Sequence, residues 1–288
     1  MTTRFFFICK FLCVPLFISA QAIFDIPDSL YEAGNFRQAS IEYERSVFMA
    51  DNYQNKGIAR YRKALCEKQM HEFRKAFDIL TSISFISMPD TLKENIIHER
   101  VLCGYLAGYF KEAESDLILY ENKIKDKKIR KEISLLAVLI ANELNDYQGA
   151  DSLGEIYVNQ YAPVEKKDSL LQVMEGIYNN KNLPKLKNTR TAWWLSFVPG
   201  LGHAYAGKIG EGMLSFLVNA SFLAFGAYEV YTGYYLTGYL VGAGGLSKFY
   251  FGNRERVNYL INKRNYMETR SFNNKAKKFF LQTAEEFD

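Results

Sequence analysis

Residues 213–231 read MLSFLVNASFLAFGAYEVY, nineteen positions with a single charged side chain, Glu229. As a helix this run reaches about 28 Å at 1.5 Å per residue, close to the roughly 30 Å hydrocarbon thickness of a bilayer. A second uncharged run, GYYLTGYLVGAGGL, follows at 233–246. Together they predict a membrane-embedded helical hairpin with its turn near Thr232-Gly233. The second run is short. It spans only if Lys248 snorkels and residues 249–251 complete the apolar length. Ala220 and Ala224 on the first limb, and Gly238 and Gly242 on the second, recur at four-residue spacing. Small residues so placed let helices approach closely in lipid, where hydrophobicity gives no drive for association.

Upstream, Lys181, Lys185, Lys187 and Arg190 precede Trp193 and Trp194, the order expected at a lipid headgroup boundary. Ala192–Val198 is too short to span, and Pro199-Gly200 breaks any helix there. The expectation is a short interfacial helix, a bend, and then a small-residue stripe at Gly202, Ala206 and Gly210. His203, Asn219 and Glu229 lie in or near the apolar stretch, where a charged group costs about 2.5–3.5 kcal/mol. Structural roles suffice for them: a turn for His203, a bond to the partner helix for Asn219, and a helix end near the interface for Glu229.

Outside this stretch the charge is asymmetric. Residues 23–178 carry 20 Lys/Arg against 25 Asp/Glu, and residues 179–288 carry 14 against 7. An acidic part joined to a basic, apolar part fits attachment to an anionic surface. Residues 1–22 have the pattern of a secretory signal: Arg4, an apolar core, and Ala20-Gln21-Ala22 as cleavage site. Export argues against nucleic acid as a partner. Residues 252–288, basic up to Lys278 and then carrying Phe279-Phe280-Leu281, read as an amphipathic helix on an anionic leaflet. Two spans would return this tail to the exported side, although its charge favours the cytoplasm.

The exported part is periodic. Gly34-Asn35-Phe36, His71-Glu72-Phe73, Gly108-Tyr109-Phe110 and Asn145-Asp146-Tyr147 recur every 37 residues, each followed three residues later by Ala39, Ala76, Ala113 or Ala150. A fixed period of this length is the mark of stacked two-helix units. Gly or Asn before the aromatic suits a left-handed turn, and the alanine lets the second helix approach the first. Four residues on, Tyr43, Leu80 and Leu117 fill the gap between helices. The fourth unit has Gly154 there, which predicts a looser helix. Residues 163–178 look like a closing helix. Cys66 and Cys103 are also 37 apart; equivalent helices about 8–10 Å apart are too distant for a disulfide, so free thiols are expected.

The order small–x–aromatic–x–x–Ala resembles the tetratricopeptide repeat over roughly 25–160. The resemblance implies an inner wall formed by each unit's first helix, with Tyr61, Lys68, Gln69, Asn95, His98, Tyr105, Asn142 and Glu143 as candidate groove positions for a protein or peptide partner. The same residues also suit the ordinary surface of a short spacer. Pro199, Gly200, Gly202, His203, Tyr205, Gly207, Gly210 and Gly212, with Tyr250-Phe251-Gly252-Asn253 and Asn265, resemble the Pro-Gly-x-Gly-Gln-x-Tyr-x-Gly signature of small bacterial membrane modules. His203 stands where Gln is usual. That resemblance implies no settled activity.

No phosphate-cradling loop, paired-Cys metal motif or histidine pair at ligand spacing is present. The expectation is therefore all-α: a tetratricopeptide-like array (23–178), a basic linker (179–191), a Gly-rich membrane hairpin (192–251) and a basic C-terminal helix. No catalytic residue, metal or cofactor is assigned. The expected role is a non-enzymatic scaffold of the bacterial envelope, held at the inner membrane with its repeats on the periplasmic side. The alternative is an oligomeric membrane module for transport or membrane-protein insertion, self-associating through its small-residue stripes.

Overall fold

The computed structural model describes residues 22–86, 88–123 and 130–286. The expected signal, 1–22, lies outside the described residues except for Ala22, which begins the first helix. The chain divides into two compact units, Met1–Ile140 and Ala141–Asp288. All regular structure among the described residues is helical.

The first unit contains α1 (Ala22–Glu32), α2 (Phe36–Met49), α3 (Tyr53–Gln69), α4 (Phe73–Thr81), α5 (Asp90–Ala107), α6 (Phe110–Lys123) and most of α7 (Lys131–Glu143). Each of α1–α5 packs on the next helix in sequence. The 37-residue period has a direct structural cause. Gly34, His71, Gly108 and Asn145 all have positive φ, between 61° and 82°. In each turn the following amide reaches back five residues, as in Asn35 N to Leu30 O at 2.9 Å and Glu72 N to Glu67 O at 2.9 Å. This six-to-one bond with a left-handed residue is the Schellman helix stop. The next helix then starts on the aromatic, and Ala39, Ala76, Ala113 and Ala150 are fully buried.

His71 is the costly member of this set. A side chain in the left-handed region costs roughly 1–2 kcal/mol, partly offset in glycine's case by its greater loss of chain entropy. His71→Gly should therefore stabilise the first unit by about 0.5–1 kcal/mol. A shift of the urea midpoint to higher concentration at unchanged m-value is the expected reading; a lower midpoint would show that the histidine ring's contact with Phe73, at 5.7 Å between centroids, outweighs the strain.

Cys66 packs with Ala39 and Tyr43, and Cys103 with Phe77 and Ile96. Both are free and buried. Burial, followed by nearby carboxylates, pushes both thiols up to about 12, so thiolate is scarce at neutral pH.

The second unit holds α8 (Tyr147–Tyr161), α9 (Val164–Tyr178), α10 (Thr189–Leu195), α11 (Leu201–Tyr205), α12 (Ile209–Tyr231), the three-residue α13 (Tyr235–Thr237), a π-helical turn (Gly238–Ala243) and α14 (Gly244–Glu285). The boundary within α7 differs from the one expected at 178, and α14 is the reason. Its 42 residues run without a break from the Gly-rich region to α8 and α9. Residues 252–288 were expected as an amphipathic helix on a leaflet. Instead Phe272, Ala276, Phe280 and Thr283 form its buried stripe. Phe272 meets Tyr147 and Tyr178 edge-on, with centroids 4.8 and 5.8 Å away, and Phe280 meets Tyr157 at 6.3 Å.

This packing corrects the reading of Gly154. A Cβ there would lie 2.7 Å from Met174 Sδ and 2.8 Å from Phe280 Cζ. The gap filled by Tyr43, Leu80 and Leu117 in the other units is filled here from α14. The second helix of the fourth repeat, α8, is not left loose.

The segment 179–191, expected as a linker, is held in place. Asn265 brackets Lys187, accepting from its N and donating to its O, both at 2.8 Å. Asn182 donates to Gly176 O, and the Asn188 side chain caps α10.

Candidate functional site

The candidate groove positions separate once placed. Tyr61, Lys68 and Gln69 lie on α3, and Asn95 and His98 on α5. Lys68 Nζ is 2.7 Å from Glu99 Oε2, and His98 Nδ1 is 3.7 Å from Glu99 Oε1. Asn95 Oδ1 accepts from Arg130 Nη2 at 2.9 Å, and Gln69 Nε2 reaches Tyr31 Oη at 3.5 Å. Burial, reinforced by Glu99 and opposed by Arg130, pushes the Tyr61 phenol up to about 12, so it stays a hydrogen-bond donor. Of these residues, Tyr61, Lys68 and His98 are brought together around Glu99.

Three other positions are not part of that arrangement. Tyr105 is almost fully buried, its ring 5.8 Å from that of Phe110. Asn142 is 2% exposed and exchanges bonds with the Tyr178 hydroxyl at 2.7 and 3.0 Å. Glu143 accepts from Asn273 of α14 at 3.3 Å. These three side chains, expected in the groove, are occupied by internal packing.

Glu99 is the electrostatic centre of the Tyr61, Lys68 and His98 cluster. Burial raises its pKa, but hydrogen bonds from His98 and Lys68, with their charges, outweigh burial and hold the carboxyl below its ordinary range. A depressed carboxylate stabilises the fold above the unfolded-state pKa of about 4.3, and this is lost as pH falls through the folded value. Glu99→Gln should therefore show a shallower loss of stability than the wild type on acidification from pH 6 to about pH 3. Parallel urea-midpoint curves against pH would refute this role.

The residues expected to form a membrane module converge on the foot of α14. Gly200 has φ +95°, and a Cβ there would lie 2.5 Å from Gly212 O; the reciprocal Cβ on Gly212 would lie 2.7 Å from Gly200 O. Pro199 and Gly200 thus turn the chain so that its backbone meets the first turn of α12. Gly202 sits against Val257 of α14, and His203 is buried beside Gly212. Tyr205 Oη accepts from Asn188 N at 3.2 Å, and Lys187 Nζ lies 4.6 Å from the centre of its ring. Gly207 turns at φ +85° under Arg264. Gly210 has open space around it, so the expected stripe ends at Ala206.

Beyond the module, α12 is ordered inside out relative to a soluble helix. Its buried residues are Gly212, Ser215 and Asn219, whereas Met213, Leu214, Phe216 and Leu217 are between 54% and 64% exposed. Among the described residues α12 is the one helix long and apolar enough to cross a membrane, and 11% of that span is buried. Two spans were expected. The returning limb is not a second such helix, because its uncharged run is short and is divided between α13, the π turn and the start of α14.

The limb returns along α12 nonetheless. Glu211 pairs with Arg256 at 3.1 Å, Phe222 stacks on Phe249 at 5.1 Å, and a Cβ on Gly242 would lie 2.5 Å from Gly226 Cα. Gly238 and Gly242 therefore pack against Gly226. Ala220 and Ala224, expected in the contact, are exposed. The contact stripe is instead Gly212, Ser215, Asn219, Phe222 and Gly226, stepping by three and four residues. That alternation was present in the sequence and is the signal that a fixed spacing of four misses. Gly226 is the contact residue overlooked.

Among the described residues, no group of three or more His, Cys, Asp or Glu side chains is placed to hold a metal. No family model, curated protein or solved structure matches the chain. Both resemblances rest on the residues quoted above.

Proposed function

We propose that the chain is a membrane-anchored scaffold of the bacterial envelope, whose tetratricopeptide-like units present a partner-binding face and whose C-terminal half holds them at the bilayer. The observation that carries the membrane part is the inverted polarity of α12: small and polar residues inside, large apolar residues outside. In water such a band is an aggregation surface; in lipid it is the stable arrangement. The repeats are supported by the four equivalent Schellman turns with their buried alanines. The binding face is the Tyr61, Lys68, Gln69, Asn95 and His98 surface of α3 and α5.

For the alternative, self-association, Gly238 and Gly242 are already packed on Gly226 of the same chain, and the small residues left exposed are Ala220 and Ala224. The test has two arms. Carbonate-washed membranes should retain the full chain; release into the supernatant removes the anchor. Crosslinking pull-down should lose partners when Tyr61, Lys68 and His98 are changed to alanine together, with the unfolding midpoint measured alongside. An unaltered partner set from a folded variant excludes that face.

A further inference from the structure

The apolar band of α12 begins at Ile209, immediately after Lys208, and on α14 the exposed phenylalanines end at Phe251, with exposed Tyr259, Tyr266 and Met267 beyond it. Arg254 then covers Trp193 and Phe197, with its guanidinium 4.6 and 4.9 Å from their ring centres. Basic groups over tryptophan mark the level where hydrocarbon gives way to headgroups. Beside this level, between α11, the start of α12 and one face of α14, lies a cavity of about 730 Å³. Lys208, Arg256, Lys263 and Arg264 line it, against Glu211 and Glu268. Glu211 is neutralised by Arg256. Among the described residues, no carboxylate lies within ion-pair distance of Lys208, Lys263 or Arg264. Arg264 is positioned by its bond to Ala206 O at 3.4 Å.

We infer that this cavity binds the phosphate headgroup of an anionic phospholipid. The inference rests on the membrane reading of α12. A cation-lined hollow alone suits any phosphate. Here the hollow opens at the foot of an exposed apolar helix, where Ile209 and Met213 are 66% and 64% exposed. Headgroup and acyl chains thus each meet a matching surface, whereas a free anion would use only half of it. Tyr259 and Leu260 in the lining suit the glycerol and upper chain segments.

The test uses the full chain, first floated with phosphatidylcholine vesicles and then released in mild detergent from bilayers of equal phosphatidylcholine and phosphatidylglycerol. Retained lipids are counted by native mass spectrometry. The wild type should retain phosphatidylglycerol over phosphatidylcholine by at least about fivefold. Lys208→Glu with Lys263→Glu should bring the ratio near unity. Lys111→Glu with Lys278→Glu, both exposed and outside the cavity, makes the same change in net charge and should leave the ratio unchanged. Persistence of the preference in the first variant, its equal loss in the second, or displacement of retained lipid by excess inorganic phosphate would each overturn the headgroup site. Failure to float even with phosphatidylcholine would instead overturn the membrane reading, so the two are separable.

Discussion

Phe280→Ala should unfold the packing of α8 and α9 locally, at a cost of about 3–5 kcal/mol, the range for removing a fully buried phenylalanine. Phe280 is 0% exposed and fills the place left by Gly154. Hydrogen exchange should show lost protection in α8 and α9, while α2–α5 stay protected because they belong to the other compact unit. Gly154→Leu, which imports the side chain of the second and third units, should also destabilise, because leucine must occupy the volume of Met174 and Phe280. Overpacking of this kind costs about 1–3 kcal/mol. The two substitutions compete for one space, so the double variant should be more stable than the sum of the single effects implies. Additive losses would show that Phe280 does not complete the fourth unit.

Gly242→Leu should have a still larger effect on the packing of the returning limb against α12. The site for its Cβ is 2.5 Å from the Cα of Gly226, so backbone rather than a flexible side chain blocks it. The returning limb would have to move away from α12 over several turns, giving up the Phe222–Phe249 stack and the Glu211–Arg256 pair. Protease digestion in detergent should then cut within 232–250, where the wild type resists. Ala220→Leu and Ala224→Leu, on the exposed face, should leave that resistance intact. If the alanine variants are cleaved and Gly242→Leu is not, the crossing has been assigned to the wrong face.

The contrast between these alanines and Gly226 shows where the sequence was legible. The repeat turns could be read because their requirement is local: one left-handed residue, an aromatic two positions on, an alanine three beyond that. His71 was legible by its period alone, since histidine is a poor residue for that conformation. The inward face of α12 required knowing which residues step by three and four, and small-residue spacing by itself selected the wrong alanines. The completion of the fourth unit was not legible at all. Gly154 announces a missing side chain, but the replacement arrives from more than a hundred residues later, on a helix whose basic composition pointed to lipid. Likewise Asn142 and Tyr105 were expected to line a groove, and only three-dimensional packing reveals that Asn142 is bonded to the Tyr178 hydroxyl and Tyr105 is buried against Phe110.

One unbroken helix carries both Arg254, at the level of the tryptophans, and Phe280, inside the packing of α8 and α9. The 26 residue steps from one to the other span about 39 Å at 1.5 Å per residue. Such a rod behaves as a lever arm, with no hinge to absorb rotation at either end. Tilting its foot by about 10° would swing Phe280 sideways by roughly 7 Å, given that length. A tilt at the Arg254 end is thereby carried over that length into the packing of α8 and α9, which belong to the same compact unit.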